Sequence, residues 1–286
     1  MTTLELDEQV LVELPEFLEG YVGLRSLSVK NNYLTILPAF IGSLINLTSF
    51  NCSNNYLKTL PESIGTLINL KFFDCSHNYL ETLPKSFGNL VNLQLFDCNN
   101  NYLKTLPESF GNLEKLGTFY CYNNCLETLP ESFRRLPNLG YFFCNNNCLK
   151  TLPEYIGDLA KIDTIYCDKN YLKTLPDSIR KLRHLSCANN KLKTIPQSDN
   201  ISYLQCENNC IEYLPNFPMM LFLWCKNNKL EYLPRVLPGC LINFNGNSES
   251  IITRPFGLWC TKFYDYYDHY IKVMHSIIII QRKFRS

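Results

Sequence analysis

An asparagine returns along this chain with a fixed period. It stands at Asn32, Asn55, Asn78, Asn101, Asn124, Asn147 and Asn170, each 23 residues after the last, then at Asn190 after 20, and at Asn209, Asn228 and Asn247 after 19. Gln9 lies 23 residues before Asn32, with Leu4, Leu6, Leu11 and Leu14-Pro15 in the matching places, so the periodicity reaches back to the start of the chain. About twelve units result, the first and last imperfect. A period of this size dictates a stacked array, because one unit cannot bury its own apolar face and its neighbours must cover it.

Each unit runs leucine, hydrophobic residue, cysteine, asparagine, leucine and Leu-Pro at constant offsets, as in "LQLFDCNNNYLKTLP" at residues 93–107. This pattern resembles the leucine-rich repeat family over almost the whole chain. The extensions "LPESIGTL" and "LPESFGNL" are similar to the 23-residue class of intracellular plant and animal proteins, and "LPNFPMMLFLWCKNNKLEYLP" to the 19- to 20-residue class of bacterial effectors. The mixture of styles also resembles repeat proteins of protists and large DNA viruses. Both classes are binding scaffolds. The resemblance therefore implies an α/β solenoid, a horseshoe with one long parallel β-sheet on its concave face and short helical or 3-10 turns and extended segments on its convex face. It further implies a non-enzymatic protein-recognition scaffold.

The residues support the same architecture independently. In "LQLFDCN" a period of two over residues 95–99 sends Phe96 and Cys98 to one side, where Leu93 is also expected, and Leu95, Asp97 and Asn99 to the other, which describes a short strand. A buried asparagine amide can then satisfy backbone groups at the bend that no ladder reaches. Pro-Glu-Ser-Ile/Phe-Gly reads as a short helical turn, with proline in its first positions and glycine closing it. In the shorter units Pro215, Pro218, Pro234 and Pro238 leave little room for helix, so extended backs are expected. The array is expected over residues 1–253. Residues 254–286 form a separate tail in which Trp259, Phe263, Tyr266, Tyr267, Tyr270, Met274, Ile277 and Ile278 recur at helical spacing, which predicts an amphipathic helix capping the open end of the core.

With 27 basic and 26 acidic residues the net charge is +1, so no global field attracts nucleic acid or an anionic membrane. The start of the chain lacks the layout of a secretory signal, and the longest aliphatic run, Ile277 to Ile280, is far shorter than a membrane span. Fourteen cysteines without a signal point to free thiols in a reducing compartment, so the cytoplasm is expected, the host's for a viral protein. Asn-x-Ser/Thr at Asn46, Asn51 and Asn200 is then a by-product of an asparagine-rich repeat.

Nine cysteines, Cys52 to Cys225, take the position three residues before the asparagine where the resembled family has leucine. Packing accounts for them, since an unpaired thiol behaves as a small buried hydrophobe. A phenylalanine two residues earlier in five units sets large beside small. The alternative is metal-thiolate chemistry at Cys121, Cys125, Cys144 and Cys148, where two Cys-x-x-x-Cys pairs fall in adjacent units. Against it, the first cysteine of each pair points inward and the second lies at the rim. Cys125 and Cys148 stack about 5 Å apart, within disulfide reach. A third Cys-x-x-x-Cys pair is Cys206 and Cys210, and in the other units that rim row carries Tyr33, Tyr56, Tyr79, Tyr102 and Tyr171, then Lys191 and Lys229.

Outward strand positions line the face where solenoids bind. The early units place serine and asparagine there, and the later ones place Phe72, Tyr120, Tyr122, Tyr141, Phe143, Tyr166, Tyr203, Phe222 and Trp224. Nine half-exposed rings amount to about 700 to 1,000 Å², the size of a standard partner footprint. Asp74, Asp97, Asp168 and Glu207 border them, which disfavours a phosphate-bearing ligand and favours a protein or peptide. The plainer alternative is that rings suit exposed strands anywhere. The final "IQRKFR" resembles the start of the motif bound by calmodulin-like proteins, with Ile280, Gln281 and Arg285 in register. No phosphate loop, dinucleotide fingerprint, zinc-protease helix or nucleophile elbow appears, so neither catalysis nor a cofactor is expected.

Overall fold

A computed structural model of the chain describes residues 2–248. The expected tail helix, its capping role and the Ile280, Gln281 and Arg285 motif lie outside the described residues, as does the boundary at residue 253. Twelve strands follow one another along the chain: β1 (Thr3–Glu5), β2 (Ser26–Ser28), β3 (Ser49–Asn51), β4 (Phe72–Asp74), β5 (Leu95–Asp97), β6 (Thr118–Tyr120), β7 (Tyr141–Phe143), β8 (Thr164–Tyr166), β9 (His184–Ser186), β10 (Tyr203–Gln205), β11 (Phe222–Trp224) and β12 (Leu241–Asn243). They form one parallel sheet in sequence order. The register pairs like with like, Phe50 with Phe73 and Phe73 with Phe96. The described residues thus form a solenoid of the leucine-rich repeat horseshoe type, with 3-10 turns as the helical component of the expected α/β layout.

Alternation holds within each three-residue strand. The middle residue faces the core, and the nine cysteines that follow the strands are all 0 % exposed. Burial pushes the thiols of eight of them well up, as for Cys98 and Cys121, because a thiolate loses its hydration there. Phe50, Phe73, Phe96, Phe119 and Phe142 stack in a file with centroids 5.5 to 5.8 Å apart. A second file, Phe87, Phe110 and Phe133, reaches in from the convex turns and meets the first at 4.6 Å (Phe87 to Phe96) and 4.9 Å (Phe110 to Phe119). The small thiol beside each strand phenylalanine leaves room for this interleaving. Where the units shorten, Ile165, Leu185, Leu204 and Leu223 replace the strand rings.

The asparagines act as expected at the bend. Asn101 donates its side-chain amide to the carbonyls of Cys75 and Cys98, both at 3.1 Å, and its Oδ1 accepts from the Leu80 amide at 2.8 Å. The arrangement recurs from Asn32 to Asn247. The residue just before each asparagine from Asn32 to Asn228 is left-handed, with φ between 51° and 55°. Eight of those ten residues are asparagine, which tolerates that region, while His77 and Lys169 fill the other two places.

Convex 3-10 turns occur in the first eight units, from Glu16–Gly20 to Asp177–Lys181, each except Ile156–Asp158 starting directly after an extended proline. No such turn follows Lys181 among the described residues, in line with the extended backs expected of the short units. Glycine plays a different part from the one expected. Gly65 is not left-handed and does not close its turn; a Cβ there would lie 2.5 Å from the Ser86 carbonyl oxygen of the next unit. Glycine is required because adjacent turns touch backbone to backbone.

Candidate functional site: the aromatic sheet face

Residues on either side of each buried strand centre face away from the core, so the sheet itself positions the candidate rings. Parallel strands lie about 4.8 Å apart, which is close to the stacking distance of two rings. Tyr120 on β6 and Phe143 on β7 accordingly stack at 4.7 Å with their planes 16° apart. Tyr166 meets Phe143 edge-on at 5.1 Å, and Tyr122 meets Tyr120 edge-on at 6.5 Å. A second group forms on β10 and β11, where Tyr203 lies 5.8 Å from Phe222 and 6.2 Å from Trp224. Phe72 and Tyr141 stand outside both groups.

Exposure departs from expectation at two positions. Tyr120 and Phe143 are 8 % and 3 % exposed, not half-exposed, although both lie off the leucine core on the opposite face of the sheet. Rings on both sides cover Phe143 laterally, which a single strand's alternation cannot reveal. Tyr141 is 42 % exposed, and the other six rings are intermediate. The nine residues therefore divide into two buried supports and seven accessible rings, and the accessible area is smaller than nine half-exposed rings would give.

His184 belongs with the second group, 6.1 Å from the Tyr203 ring and 3.2 Å from the Asp163 carboxylate through Nδ1. Sequence reasoning missed it because it is not one of the large rings. Its register with Tyr203 would have located it.

Acids hold fixed positions beside the rings. Asp74 Oδ1 accepts from the Ser76 amide and hydroxyl at 3.0 and 2.7 Å, and Asp97 Oδ1 accepts from the Asn99 amide at 3.0 Å. Asp168 Oδ1 accepts from the Ala188 amide at 2.7 Å and from the Ser186 hydroxyl at 2.5 Å. Desolvation nevertheless pushes the Asp168 carboxyl up. Burial does the same to Glu207, with Asp168 adding to it, and Glu207 Oε2 is enclosed with no hydrogen-bond partner. Burial, then Asp97, also raises the Tyr122 hydroxyl. The face thus combines accessible rings with carboxylates, and Lys226 is the cation that acts on Glu207.

The four cysteines of the metal alternative divide between two places. Cys121 and Cys144 are core residues, whereas Cys125 and Cys148 are partly exposed on the rim. Among the described residues no three His, Cys, Asp or Glu side chains converge on a metal-sized site. The rim carries hollows instead, including one of about 410 Å³ lined by Tyr79, Tyr102, His77 and Asn100, along the stacked file of Tyr33, Tyr56, Tyr79 and Tyr102. No described helix is long and apolar enough to cross a membrane.

A family model for the leucine-rich repeat matches residues 46–67, 69–90 and 92–113. The leucine-rich effector protein YopM of Yersinia pestis is 30 % identical, superimposes with a TM-score of 0.67, and is aligned over 83 % of this chain and 69 % of its own. The chain belongs to the leucine-rich repeat proteins. A leucine-rich repeat protein of Leptospira interrogans is 27 % identical over 86 % of this chain and 67 % of its own, with a TM-score of 0.78. The ectodomain of the Arabidopsis thaliana receptor kinase GASSHO1/SCHENGEN3, solved in complex with CASPARIAN STRIP INTEGRITY FACTOR 2, is 25 % identical with a TM-score of 0.64; this chain spans 87 % of itself but 36 % of that ectodomain. No curated protein matches.

Proposed function

We propose that this leucine-rich repeat protein is a non-enzymatic scaffold that binds a protein or peptide partner on the sheet face of the array, in the cytoplasm of its cell. The observation that carries the reading is the gathering of accessible rings on the face opposite the core, where packing of the solenoid does not require them. Tyr122, Tyr141, Tyr166, Tyr203, Phe222 and Trp224 supply contact area, with Phe72 further toward the N-terminus, and Tyr120 and Phe143 hold the first group rigid. Rigid rings give large contact area at small cost in side-chain entropy. Asp74, Asp97, Asp168 and Glu207 oppose a nucleic-acid backbone. The bound factor on the receptor ectodomain provides a precedent within the fold.

The test is capture of partners on the immobilised full chain, with the captured protein identified by mass spectrometry and its affinity then measured directly. Replacing both Tyr122 and Tyr141 with alanine, or both Tyr203 and Trp224, is expected to lower affinity at least tenfold and leave the unfolding midpoint nearly unchanged. Lys85→Ala, on the convex side, is expected to change neither. Undiminished affinity in both double variants removes the sheet face as the binding surface.

A further inference from the structure

The joint between the sixth and seventh units differs from its neighbours on two surfaces at once. On the convex side, Arg134 takes the place that glycine holds at Gly65, Gly88 and Gly111, and the following turn is cut to Ile156–Asp158. On the rim, the file of tyrosines running from Tyr33 to Tyr102 and resumed at Tyr171 is broken by Cys125 and Cys148.

These two cysteines occupy equivalent places in adjacent units. The Cys148 amide donates to the carbonyl of Leu126, the residue after Cys125, at 2.9 Å, as the Tyr102 amide donates to Leu80, the residue after Tyr79. Tyrosines in the same relation keep their centroids 5.7 to 5.8 Å apart. Strand spacing sets the two Cα atoms roughly 5 Å apart, inside the range that a disulfide spans. Both thiols are free and partly exposed, in contrast to the nine enclosed cysteines of the core. Burial first, then Cys125 and Glu127, pushes the Cys148 thiol up against the pull of Lys150.

We propose that Cys125 and Cys148 form a reversible disulfide that ties the sixth unit to the seventh when the protein meets a peroxide. One thiolate attacks a peroxide oxygen, the O–O bond breaks, and a sulfenic acid and hydroxide result, the hydroxide taking up the proton that the thiol released and leaving as one water. The second thiolate attacks that sulfur, forms the S–S bond and expels hydroxide, which takes up a proton and leaves as a second water. The two thiols together give up two electrons and two protons, and hydrogen peroxide is reduced to water. A dithiol reverses the bond by exchange. Cys210 is an internal contrast: it is also partly exposed on the rim, but its row neighbours are Lys191 and Lys229. Tyr120 and Tyr122 belong to the sixth unit and Phe143 to the seventh, so the bond fixes the spacing of the first ring group. That consequence rests on the proposed recognition function, whereas the disulfide itself does not.

The experiment takes the reduced full chain and raises hydrogen peroxide until Cys210 is trapped as a sulfenic acid by dimedone, which shows that rim thiols have met the oxidant. Digestion without reductant and mass spectrometry then locate the links. A peptide joining Cys125 to Cys148 is expected, absent after dithiothreitol, absent in Cys125→Ser and in Cys148→Ser, and retained in Cys210→Ser at the same peroxide concentration. The proposal is overturned if both thiols are unmodified, carry separate dimedone adducts, or are joined to other cysteines while Cys210 has reacted.

Discussion

Arg134 of the sixth unit stands over the ring of Tyr155 in the seventh, its guanidinium carbon 6.0 Å from the ring centroid. In most other long units the corresponding pair is glycine and serine, as with Gly65 and Ser86. Glu19 and Phe40 form the other exception, so where the glycine is lost its serine partner is lost with it. The two positions behave as one unit. Arg134→Gly and Tyr155→Ser are therefore expected to be non-additive, with the double variant more stable than the sum of the single changes implies by about 0.5 to 3 kcal/mol. A four-member cycle of urea unfolding measures this. Strict additivity would mean that the two positions are independent.

The same contact predicts what a single methyl does where the glycine remains. A Cβ on residue 65 would come 2.5 Å from the Ser86 carbonyl and 2.6 Å from its Cβ, and the first of these obstacles is backbone. Gly65→Ala is expected to destabilise by about 1 to 3 kcal/mol through overpacking, in spite of the better helix propensity of alanine. The matching change at Gly23, with nothing within 4 Å of its Cβ position, serves as control and should cost little. Equal effects at the two sites would contradict the close approach of the turns.

Asn101 offers a sharper test of the bend. Asn101→Asp keeps the acceptor for the Leu80 amide but removes the donor from the Cys75 and Cys98 carbonyls. Three buried acceptors, these two and the Asn99 carbonyl, are left facing a carboxylate, at an expected cost of about 3 kcal/mol or more. Asn101→Ala removes the acceptor as well. Hydrogen exchange at the Leu80 amide should consequently speed up far more in the alanine variant than global destabilisation alone explains.

What was legible in the sequence was whatever repeats locally. The asparagine period gave the stacking direction, and the alternation around Phe96 and Cys98 gave the buried side, because each is set within one unit. Relations between units were hidden. The burial of Phe143 arises from Tyr120 and Tyr166 on neighbouring strands, at a spacing fixed by the sheet and not by the chain. The role of Gly65 likewise depends on Ser86, 21 residues further on. His184 escaped notice because the face was read as a row of large rings, while its register with Tyr203 is a property of the sheet.

Glu207 predicts a pH dependence of stability. Its folded value is raised above the ordinary 4.5, chiefly by burial and further by Asp168, so the folded state keeps the proton to higher pH than the unfolded state does. The stability associated with this group is complete below 4.5 and is lost as pH rises through the elevated value. Glu207→Gln removes the buried charge and its repulsion with Asp168. The variant should unfold at a higher urea concentration than the parent at pH 7, and the advantage should vanish at pH 4. An advantage that persists unchanged into acid would assign the effect to packing and not to ionisation.

Phe96, Phe143 and Tyr141 differ in what truncation removes, and their order of effect separates core from face. Phe96 is 0 % exposed, stacked within the strand file and packed against Phe87 and Phe110 of the second, so Phe96→Ala should cost about 3 to 5 kcal/mol. Phe143 is 3 % exposed but flanked by Tyr120 and Tyr166 on the open face, which can close over part of the gap, so Phe143→Ala should cost about 2 to 3 kcal/mol. Tyr141, 42 % exposed, should tolerate alanine within about 0.5 kcal/mol. Unfolding midpoints of the three variants give the order directly. A cost at Phe143 equal to that at Phe96 would place it in the solenoid core, and a cost equal to that at Tyr141 would mean that Tyr120 does not hold it. The intermediate result also dictates which rings can report on binding: loss of a partner in Tyr141→Ala reads recognition alone, whereas the same loss in Phe143→Ala mixes recognition with a loosened face.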